Sequence, residues 1–337
     1  MKPSEITALA LYSGGLDSTL ACRVVAAQGI RVIAVKFVTP FFGADLLARR
    51  DEHVWEVKDK YGIDLRLVDV AGEFLLMLRN PAHGYGRNFN PCIDCKIFLL
   101  TRAREMMREF AASFLITGEV IGQRPMSQRR DTLRVIERDS GCEDILVRPL
   151  CAKNLAPTRP ERDGLIDREQ LLAFNGRGRK PQMQLAEKFG ITDYPSPAGG
   201  CILTDQNLGP RIEKFYNEQQ DIAARDILLL LNGRQFKLPG GSWLAMGRDE
   251  DENEKIFKLL QPGDWILEAG DLPGPTALVR SLAGADDLQF AAGLVARYVK
   301  RNGNLPEYVG IVADNGAETI HMTVSPLDDL ISRPWKR

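Results

Sequence analysis

Apolar and polar residues alternate on two different length scales in the first half of the chain. Short apolar runs predict strands, and longer segments with apolar residues three or four positions apart predict helices. The predicted strands are Ile6–Tyr12, Arg31–Val38, Asp64–Val70, Phe114–Thr117 and Asp144–Leu150, and the predicted helices are Ser18–Gln28, Asp45–Tyr61 and Lys96–Phe110. This alternation is typical of a parallel sheet with helices on its faces, so the predicted fold class is α/β. Such sheets bind ligands beside the loops that follow their strands.

The pattern changes near residue 225. From there, short strand-like segments such as Trp243–Met246 and Val309–Ala313 accompany one amphipathic helix near Leu288–Lys300. Short strands with a single helix predict a small, separate α+β domain. We therefore predict a parallel-sheet domain at 1–205, a helical connector at 206–224 and an α+β domain at 225–337.

The loop after the first predicted strand has the sequence Ser13-Gly14-Gly15-Leu16-Asp17-Ser18. Two glycines let backbone N–H groups approach an anion, and the N-terminus of the following helix adds positive potential. The serine hydroxyls can donate hydrogen bonds, and a carboxylate suits a Mg²⁺ ion bound to phosphates. No lysine follows, so this is not the Gly-x-x-x-x-Gly-Lys loop. The loop resembles the PP-loop of ATP pyrophosphatases, which implies cleavage of ATP between its α and β phosphates.

Three of the six cysteines lie in loops or at a loop-to-helix junction. Cys92 and Cys95 form a Cys-x-x-Cys pair before a predicted helix, and Cys201 follows Gly199-Gly200. A helix N-terminus favours the reactive thiolate. Three such cysteines can bind three irons of a 4Fe-4S cluster, or one can carry a persulfide that another resolves as a disulfide. A zinc site is a third reading, and it needs a fourth ligand.

Composition is that of an ordinary globular protein. The chain has 337 residues, is 44% hydrophobic and carries a net charge of −1. It has no run of eighteen apolar residues and no signal-peptide pattern, so we expect a cytoplasmic protein without a membrane partner. The small net charge argues against a general nucleic-acid coat protein. Five arginines and only two acids lie between Arg124 and Arg138, and Arg129 and Arg130 in this segment are candidate contacts for RNA phosphates.

Further motifs follow the phosphate loop in order. They are Leu-Ile-Thr-Gly-Glu-Val-Ile-Gly-Gln at Leu115–Gln123, then Leu133–Ile136 and Leu146–Leu150. With the phosphate loop, this series resembles the PP-loop domain of tRNA 4-thiouridine synthetases. The Asn90–Cys95 stretch and the Gly-Gly-Cys loop also resemble the cysteine loops of tRNA 2-thiouridylases. The resemblance covers about residues 6–205.

The resemblance implies an enzyme that uses ATP and Mg²⁺ to adenylate a carbonyl oxygen of a tRNA uridine and then replaces this oxygen with sulfur. The favoured product is 4-thiouridine, with 2-thiouridine as the alternative. The sulfur donor is sulfide or a persulfide-carrying protein. The implied site residues are Ser13, Gly14, Gly15, Asp17, Ser18, Gly118 and Gln123 for ATP and its metal, and Cys92, Cys95 and Cys201 for the cluster or the sulfur. Phe37, at the end of the second predicted strand, is a candidate to pack on adenine, with an ordinary core position as the alternative.

The predicted second domain carries motifs of its own. They are Phe236–Pro239, Gly247-Arg248, Pro262–Trp265 and Leu272–Thr276. They resemble the RNA-binding domain of NFACT proteins, which implies that this domain contacts tRNA. Residues 225–337 contain 13 basic and 16 acidic residues, a balance that is not typical of a strong phosphate binder. The alternative is that this domain positions the first one or forms a homodimer.

Two other functional classes remain open. A PP-loop enzyme that delivers nitrogen to a small acid or base does not need the three cysteines. A non-catalytic RNA-binding module with an inactive loop releases no pyrophosphate from ATP.

Overall fold

The computed structural model describes residues 6–196, 200–299, 306–328 and 331, and the chain divides into two compact units. The first unit ends at Tyr216 and the second begins at Asn217, so the division falls within the predicted connector 206–224. Residues 197–199 of the predicted Gly-rich loop lie outside the described residues, as does residue 300 at the end of the last predicted helix.

The first unit is built around a five-stranded parallel sheet with the strand order β3-β2-β1-β4-β5. The strands are β1 (Thr7–Leu11), β2 (Arg31–Val38), β3 (Asp64–Asp69), β4 (Phe114–Thr117) and β5 (Leu146–Val147). The predicted α/β class is therefore confirmed. Because β1 has β2 on one side and β4 on the other, the strand order reverses beside its carboxyl end, where open α/β sheets form a ligand crevice.

Helices cover both faces of this sheet. They are α1 (Leu16–Ala26), α2 (Arg50–Tyr61), α3 (Ala71–Arg79), α4 (Cys92–Met106), α5 (Arg130–Ser140), α6 (Arg159–Arg162), α7 (Lys180–Lys188) and α8 (Leu208–Glu218). Neighbouring residues of β1 belong to different clusters: Ala8 and Ala10 pack in the cluster that holds α1, and Leu9 packs in the cluster that holds α4 and α5. Burial of both faces explains why the strands are apolar throughout.

Three predicted elements differ from the structure for local reasons. The predicted helix Asp45–Tyr61 is interrupted, because a 3₁₀ turn at Ala44–Leu47 precedes α2. The predicted strand Asp144–Leu150 shrinks to two residues, since Asp144 has a positive φ and Pro149 has no N–H for the ladder. The predicted loop at Pro157–Pro160 runs into α6, where Thr158 and Glu161 form a capping box.

The second unit contains a six-stranded antiparallel sheet with the strand order β11-β10-β8-β9-β7-β6. Its strands are β6 (Arg234–Lys237), β7 (Trp243–Met246), β8 (Trp265–Ala269), β9 (Ala277–Arg280), β10 (Val309–Asp314) and β11 (Thr319–Val324). Its helices are α9 (Ala224–Leu231), α10 (Glu250–Phe257) and α11 (Ala285–Arg297). The apolar face of α11 packs on this sheet, and the predicted α+β class is confirmed. The prediction of a single helix is wrong, because α9 and α10 are also present among the described residues. Within the described ranges, no helix has both the length and the apolar character that a membrane crossing requires.

Candidate functional site: a phosphate-loop cavity beside three cysteines

The phosphate loop joins the end of β1 to the first turn of α1. Gly14 has a φ of +86°, which side chains rarely adopt, and Gly15 is the N-cap of α1. Ser18 Oγ donates a hydrogen bond to the Gly15 carbonyl oxygen (2.8 Å) and accepts one from Ser13 Oγ (3.2 Å). The loop is thereby fixed at the positive end of a helix, where phosphates bind readily.

A cavity of about 640 Å³ opens over this loop. This volume lies within the range of small-molecule and cofactor sites. The charged residues that line it are Asp17, Lys36, Arg49, Glu56, Lys60, Arg124, Arg179 and Asp193. Five are cations and three are acids, so the cavity has the charge that favours a polyphosphate.

Four polar atoms at this cavity are buried and make no hydrogen bond to any described residue. They are Asp17 Oδ1, His53 Nε2, Gln123 Oε1 and Arg179 Nε. Buried polar atoms in folded proteins almost always have a partner. The concentration of unpartnered atoms here indicates that the cavity binds a polar ligand.

Asp17 and Gln123 form one side of the cavity together. Gln123 Nε2 donates a 2.8 Å hydrogen bond to Asp17 Oδ2 and leaves Oδ1 without a partner. This bond orients the carboxylate, and its buried free oxygen suits a Mg²⁺ ion that also binds phosphate oxygens. The residues present therefore fit the predicted magnesium ion.

Gly118 brings the loop after β4 against the phosphate loop. A Cβ at Gly118 would lie 2.5 Å from both the Asp17 carbonyl carbon and the Ser18 nitrogen, and no side chain fits this gap. Gly118 does not line the cavity. The structure thus places it behind the phosphate loop, where it sets the spacing of the two loops, and direct contact with ATP stays a prediction.

Replacing Gly118 with alanine is expected to lower the free energy of unfolding by about 1–3 kcal/mol, because the new methyl group forces the phosphate loop aside. ATP affinity should fall with it. Urea unfolding and calorimetric titration measure the two effects. Gly72→Ala is the matched control, since nothing lies within 4 Å of a Cβ there; equal stability of both variants would contradict the packing argument.

Lys36 lines the cavity, whereas its neighbour Phe37 does not. The two side chains point to opposite faces of β2, and Phe37 packs in the apolar cluster with Leu9 and Leu115. The candidate adenine contact at Phe37 is therefore corrected to a core position. Lys36 Nζ lies 3.0 Å from the position of a Cβ on Gly14. Burial lowers the pKa of Lys36, nearby Asp45 opposes this shift, and Arg49 adds to it.

Lys36→Met is expected to weaken ATP binding by about tenfold to a hundredfold, the effect of losing one charge-assisted hydrogen bond. Methionine keeps the length of the side chain and removes only its charge. Titration calorimetry with a non-hydrolysable ATP analogue measures the affinity. Lys58→Met, on the exposed surface of α2, is the control, and the same affinity in both variants would show that Lys36 does not meet the phosphates.

The two cysteine loops come together in the structure. Asn88, in the loop before α4, donates a 2.7 Å hydrogen bond to the carbonyl oxygen of Thr204, three residues after Cys201. Cys92 and Cys95 lie in the first turn of α4, which begins four residues earlier than predicted. Asn90 Nδ2 donates a 3.1 Å hydrogen bond to Cys92 Sγ. A partly buried hydrogen bond therefore joins the loop before the Cys-x-x-Cys pair to the loop of Cys201.

Burial raises the pKa values of Cys95 and Cys201. It raises the pKa of Cys95 to about 12, Lys96 opposes this, and the Cys201 and Cys92 sulfurs add to it. Cys201 is exposed as a residue, but partial burial of its sulfur still raises the pKa of the thiol. The Cys92 sulfur adds to this rise, and Arg124 opposes it. The prediction that a helix N-terminus favours the thiolate is wrong for Cys95, because desolvation outweighs it.

The predicted 4Fe-4S cluster stays a prediction. Among the residues that the structure describes, no three histidine, cysteine or acidic side chains are arranged to hold a metal ion. The three thiols influence one another electrostatically, which is compatible with the alternative of a persulfide pair.

Arg124 connects the cavity to the cysteines. It lines the cavity, and its charge opposes the rise that burial causes in the pKa of Cys201. Pro195 and Ser196 line the same cavity only a few residues before Cys201. The sulfur-bearing loop therefore starts at the cavity rim.

Glu119 is the centre of a buried ion-pair network behind both loops. Arg148 Nε donates a 2.9 Å hydrogen bond to Glu119 Oε2, and Lys96 Nζ lies 3.4 Å from Oε1. Burial alone would raise the pKa of Glu119, but Lys96, Arg148 and hydrogen bonds lower it to about 2. Since Lys96 directly follows Cys95, the network ties the cysteine helix to the loop of Gly118.

The two candidate RNA-binding arginines have different surroundings. Arg129 is exposed and donates a 2.9 Å hydrogen bond to Asp131. Arg130 makes no hydrogen bond or ion pair with another described side chain and lines a second, smaller cavity. Neither lines the phosphate-loop cavity.

Residues 4–155 match the family model described as thiamine biosynthesis protein (ThiI). This segment contains the phosphate loop, Gly118, Gln123 and the Cys-x-x-Cys pair. The segment is therefore similar to this family over a little under half of the chain. Residues 233–335 match a second family model, described as the NFACT protein RNA binding domain. The two resemblances inferred from the motifs are confirmed for these segments.

Known proteins match this chain over part of its length and part of their own. A probable tRNA sulfurtransferase from Thermococcus kodakarensis is 26% identical over 39% of this chain and 34% of that relative. A tRNA-specific 2-thiouridylase from Syntrophotalea carbinolica is 31% identical over 35% of this chain and 36% of that relative. The chain thus spans about a third of the length of these curated relatives. A solved 4-thiouridine synthetase–RNA complex with bound ATP is 20% identical, with a TM-score of 0.36, over 66% of this chain and 52% of that chain.

Proposed function

We propose that this protein adenylates a carbonyl oxygen of a tRNA uridine with ATP and then replaces that oxygen with sulfur, with 4-thiouridine as the favoured product. The observation that carries the proposal is the shared rim: Arg124 lines the nucleotide cavity and also acts on the Cys201 thiol. Adenylation of the carbonyl oxygen and attack of sulfur on the carbonyl carbon then occur at one carbonyl group of the substrate. The names of the relatives, a tRNA sulfurtransferase and a tRNA thiouridylase, support the same reaction.

In the first step, the phosphate loop binds the triphosphate, and Lys36 and Arg124 add positive charge. Asp17, whose Oδ1 atom has no hydrogen-bond partner, would hold a Mg²⁺ ion, and the ion would neutralise charge on the phosphates. The uridine oxygen attacks the α-phosphorus, and the bond from this phosphorus to the bridging oxygen breaks. Pyrophosphate leaves with the electron pair, and AMP stays on the uridine oxygen as a good leaving group.

The second step uses the thiols. Cys201 is the exposed thiol of the three, and its thiolate attacks the outer sulfur of a donor protein's persulfide. The donor's sulfur–sulfur bond breaks, the donor thiolate leaves, and Cys201 carries the persulfide. The terminal sulfur attacks the adenylated carbon, and AMP leaves with the electrons of the carbon–oxygen bond. Cys92, held by Asn90, then attacks the Cys201 sulfur. The thiouridine departs with the electrons of the sulfur–sulfur bond, and a cellular dithiol reduces the resulting disulfide.

RNA binding is assigned to two regions. Arg129 and Arg130 contact tRNA phosphates beside the catalytic unit, and the NFACT-type domain holds another part of the tRNA. The predicted parts 1–205, 206–224 and 225–337 correspond to catalysis, connection and RNA binding. We place the reaction in the cytoplasm, where tRNA is modified.

Nucleoside mass spectrometry of tRNA from a strain that lacks this protein tests the proposal. We expect one thiolated uridine to disappear and to return with the wild-type gene; its ring position decides between 4-thiouridine and 2-thiouridine. An unchanged set of thionucleosides would refute the proposal. ATP-dependent pyrophosphate release without any tRNA would point to a small-molecule amidating enzyme, and no release with bulk tRNA would point to a non-catalytic RNA-binding module.

A further inference from the structure

A second cavity lies behind the candidate active site, between α5, the end of β5 and α6. Its volume is about 110 Å³. Arg130 and Arg134 from the first turns of α5 line it, together with Arg148, which follows β5. None of these three residues lines the phosphate-loop cavity. The two cavities are therefore separate sites.

Arg148 is the unusual residue in this cavity. Its side chain is only 1% exposed, and its Nη2 atom makes no hydrogen bond to any described residue. Its Nε and Nη1 atoms are satisfied by Glu119 and Glu137. A buried guanidinium nitrogen without an acceptor is costly, so an acceptor is expected to occupy the cavity.

The acids at this cavity are already neutralised. Glu137 forms an ion pair with Arg148. Glu161 accepts hydrogen bonds from Thr158 and forms an ion pair with Arg168. By contrast, the side chains of Arg130 and Arg134 make no hydrogen bond or ion pair with another residue in the part of the chain that the structure describes. Three arginines and two acids line the cavity. The groups without a hydrogen-bond partner are N–H donors of the arginines.

We propose that Arg130, Arg134 and Arg148 form a binding site for a phosphate-class oxyanion, either free phosphate or a phosphate group of bound RNA. The cavity has room for one tetrahedral oxyanion or, at about 30 Å³ each, three to four water molecules. Water can satisfy Arg148 Nη2, but it brings no negative charge to the wall that the exposed Arg130 and Arg134 line. An oxyanion accepts from all three guanidinium groups, and arginine forks match its geometry. This site does not depend on the proposed thiolation.

The test measures binding of inorganic phosphate to the full chain by thermal unfolding and ³¹P NMR, against chloride at equal ionic strength. A saturating non-hydrolysable ATP analogue fills the phosphate-loop cavity. The double variant Arg130→Gln/Arg134→Gln removes the two charges at the exposed side and leaves the buried Arg148 network intact. Arg138→Gln, on the same helix with a 62% exposed side chain outside the cavity, is the control.

We expect phosphate to bind the wild type and the Arg138 variant, and to bind the double variant at least about tenfold more weakly. Equal phosphate affinity in wild type and double variant, or no effect beyond that of chloride, would overturn the proposal and leave a water-filled cavity. Competition with bulk tRNA shows whether the bound oxyanion is an RNA phosphate or free phosphate. If phosphate displaces tRNA at the concentration at which it binds, the site accepts an RNA phosphate; if both bind together, the site accepts a free anion.

Discussion

Asp17→Asn is expected to slow ATP- and tRNA-dependent pyrophosphate release by about 10²–10³-fold or more, the effect of removing one well-placed electrostatic group from a reaction centre. The carboxylate is held by Gln123, and its other oxygen is buried without a partner in the cavity. Asparagine has the same shape and can still accept the Gln123 hydrogen bond through its carbonyl oxygen. It lacks the negative charge that a divalent cation requires.

The measurement is the rate of pyrophosphate release at increasing Mg²⁺ concentration. Excess Mg²⁺ should restore part of the activity of the Asp17 variant, since weaker binding of the ion is the cause. Asp51→Asn is the control, because Asp51 also stands in the first turn of a helix and lies outside the phosphate-loop cavity. If the Asp17 variant releases pyrophosphate at the wild-type rate, Asp17 does not bind the metal ion.

The phosphate loop could be found from sequence because its chemistry is local. Glycine at positive φ, a helix N-terminus and serine hydroxyls all lie within six consecutive residues, and the structure adds only distances. The strand β2 shows the limit of such reasoning. Its bounds match the prediction, but the side chain at the cavity is Lys36 rather than Phe37. Side chains alternate along a strand, so the sequence predicts that Lys36 and Phe37 face opposite sides of the sheet. Which side carries the cavity depends on how α1 and α2 pack, and the sequence pattern does not show this.

The arginines of the cavity show a second limit. Arg124 and Arg179 are 55 positions apart in sequence, and a basic residue in a loop is usually a solvated surface residue. No local pattern predicts that two such loops meet over the phosphate loop. The Cys201 loop is similar: its approach to Cys92 depends on the hydrogen bond from Asn88 to the Thr204 carbonyl, and Asn88 carries no sequence motif of its own.

Desolvation changes the chemical interpretation of the cysteines. A thiol with a raised pKa is protonated at neutral pH, so Cys95 and Cys201 are poor nucleophiles in this conformation. In the proposed route the Cys201 thiolate attacks the outer sulfur of the donor's persulfide, so Cys201 must first lose its proton. The charge of Arg124, which lines the cavity, favours this loss because it opposes the rise in the pKa of Cys201.

Cys201→Ser separates the two half-reactions and has the largest expected effect on product. Formation of thiouridine should fall by at least about 10³-fold, because a serine oxygen cannot carry a transferable sulfur. Pyrophosphate release should stay close to wild type, since Cys201 does not line the nucleotide cavity. Adenylated tRNA, or AMP from its hydrolysis, should accumulate instead.

The two half-reactions are measured in one assay, by pyrophosphate release and by mass spectrometry of the tRNA nucleosides. Cys151→Ser is the matched control: Cys151 is fully buried, and its sulfur donates to the Glu119 carbonyl oxygen, a bond that a serine hydroxyl can keep. We expect this control to form thiouridine normally. If the Cys201 variant also does so, sulfur does not pass through this thiol, and the ATP chemistry of the phosphate loop serves a different nucleophile.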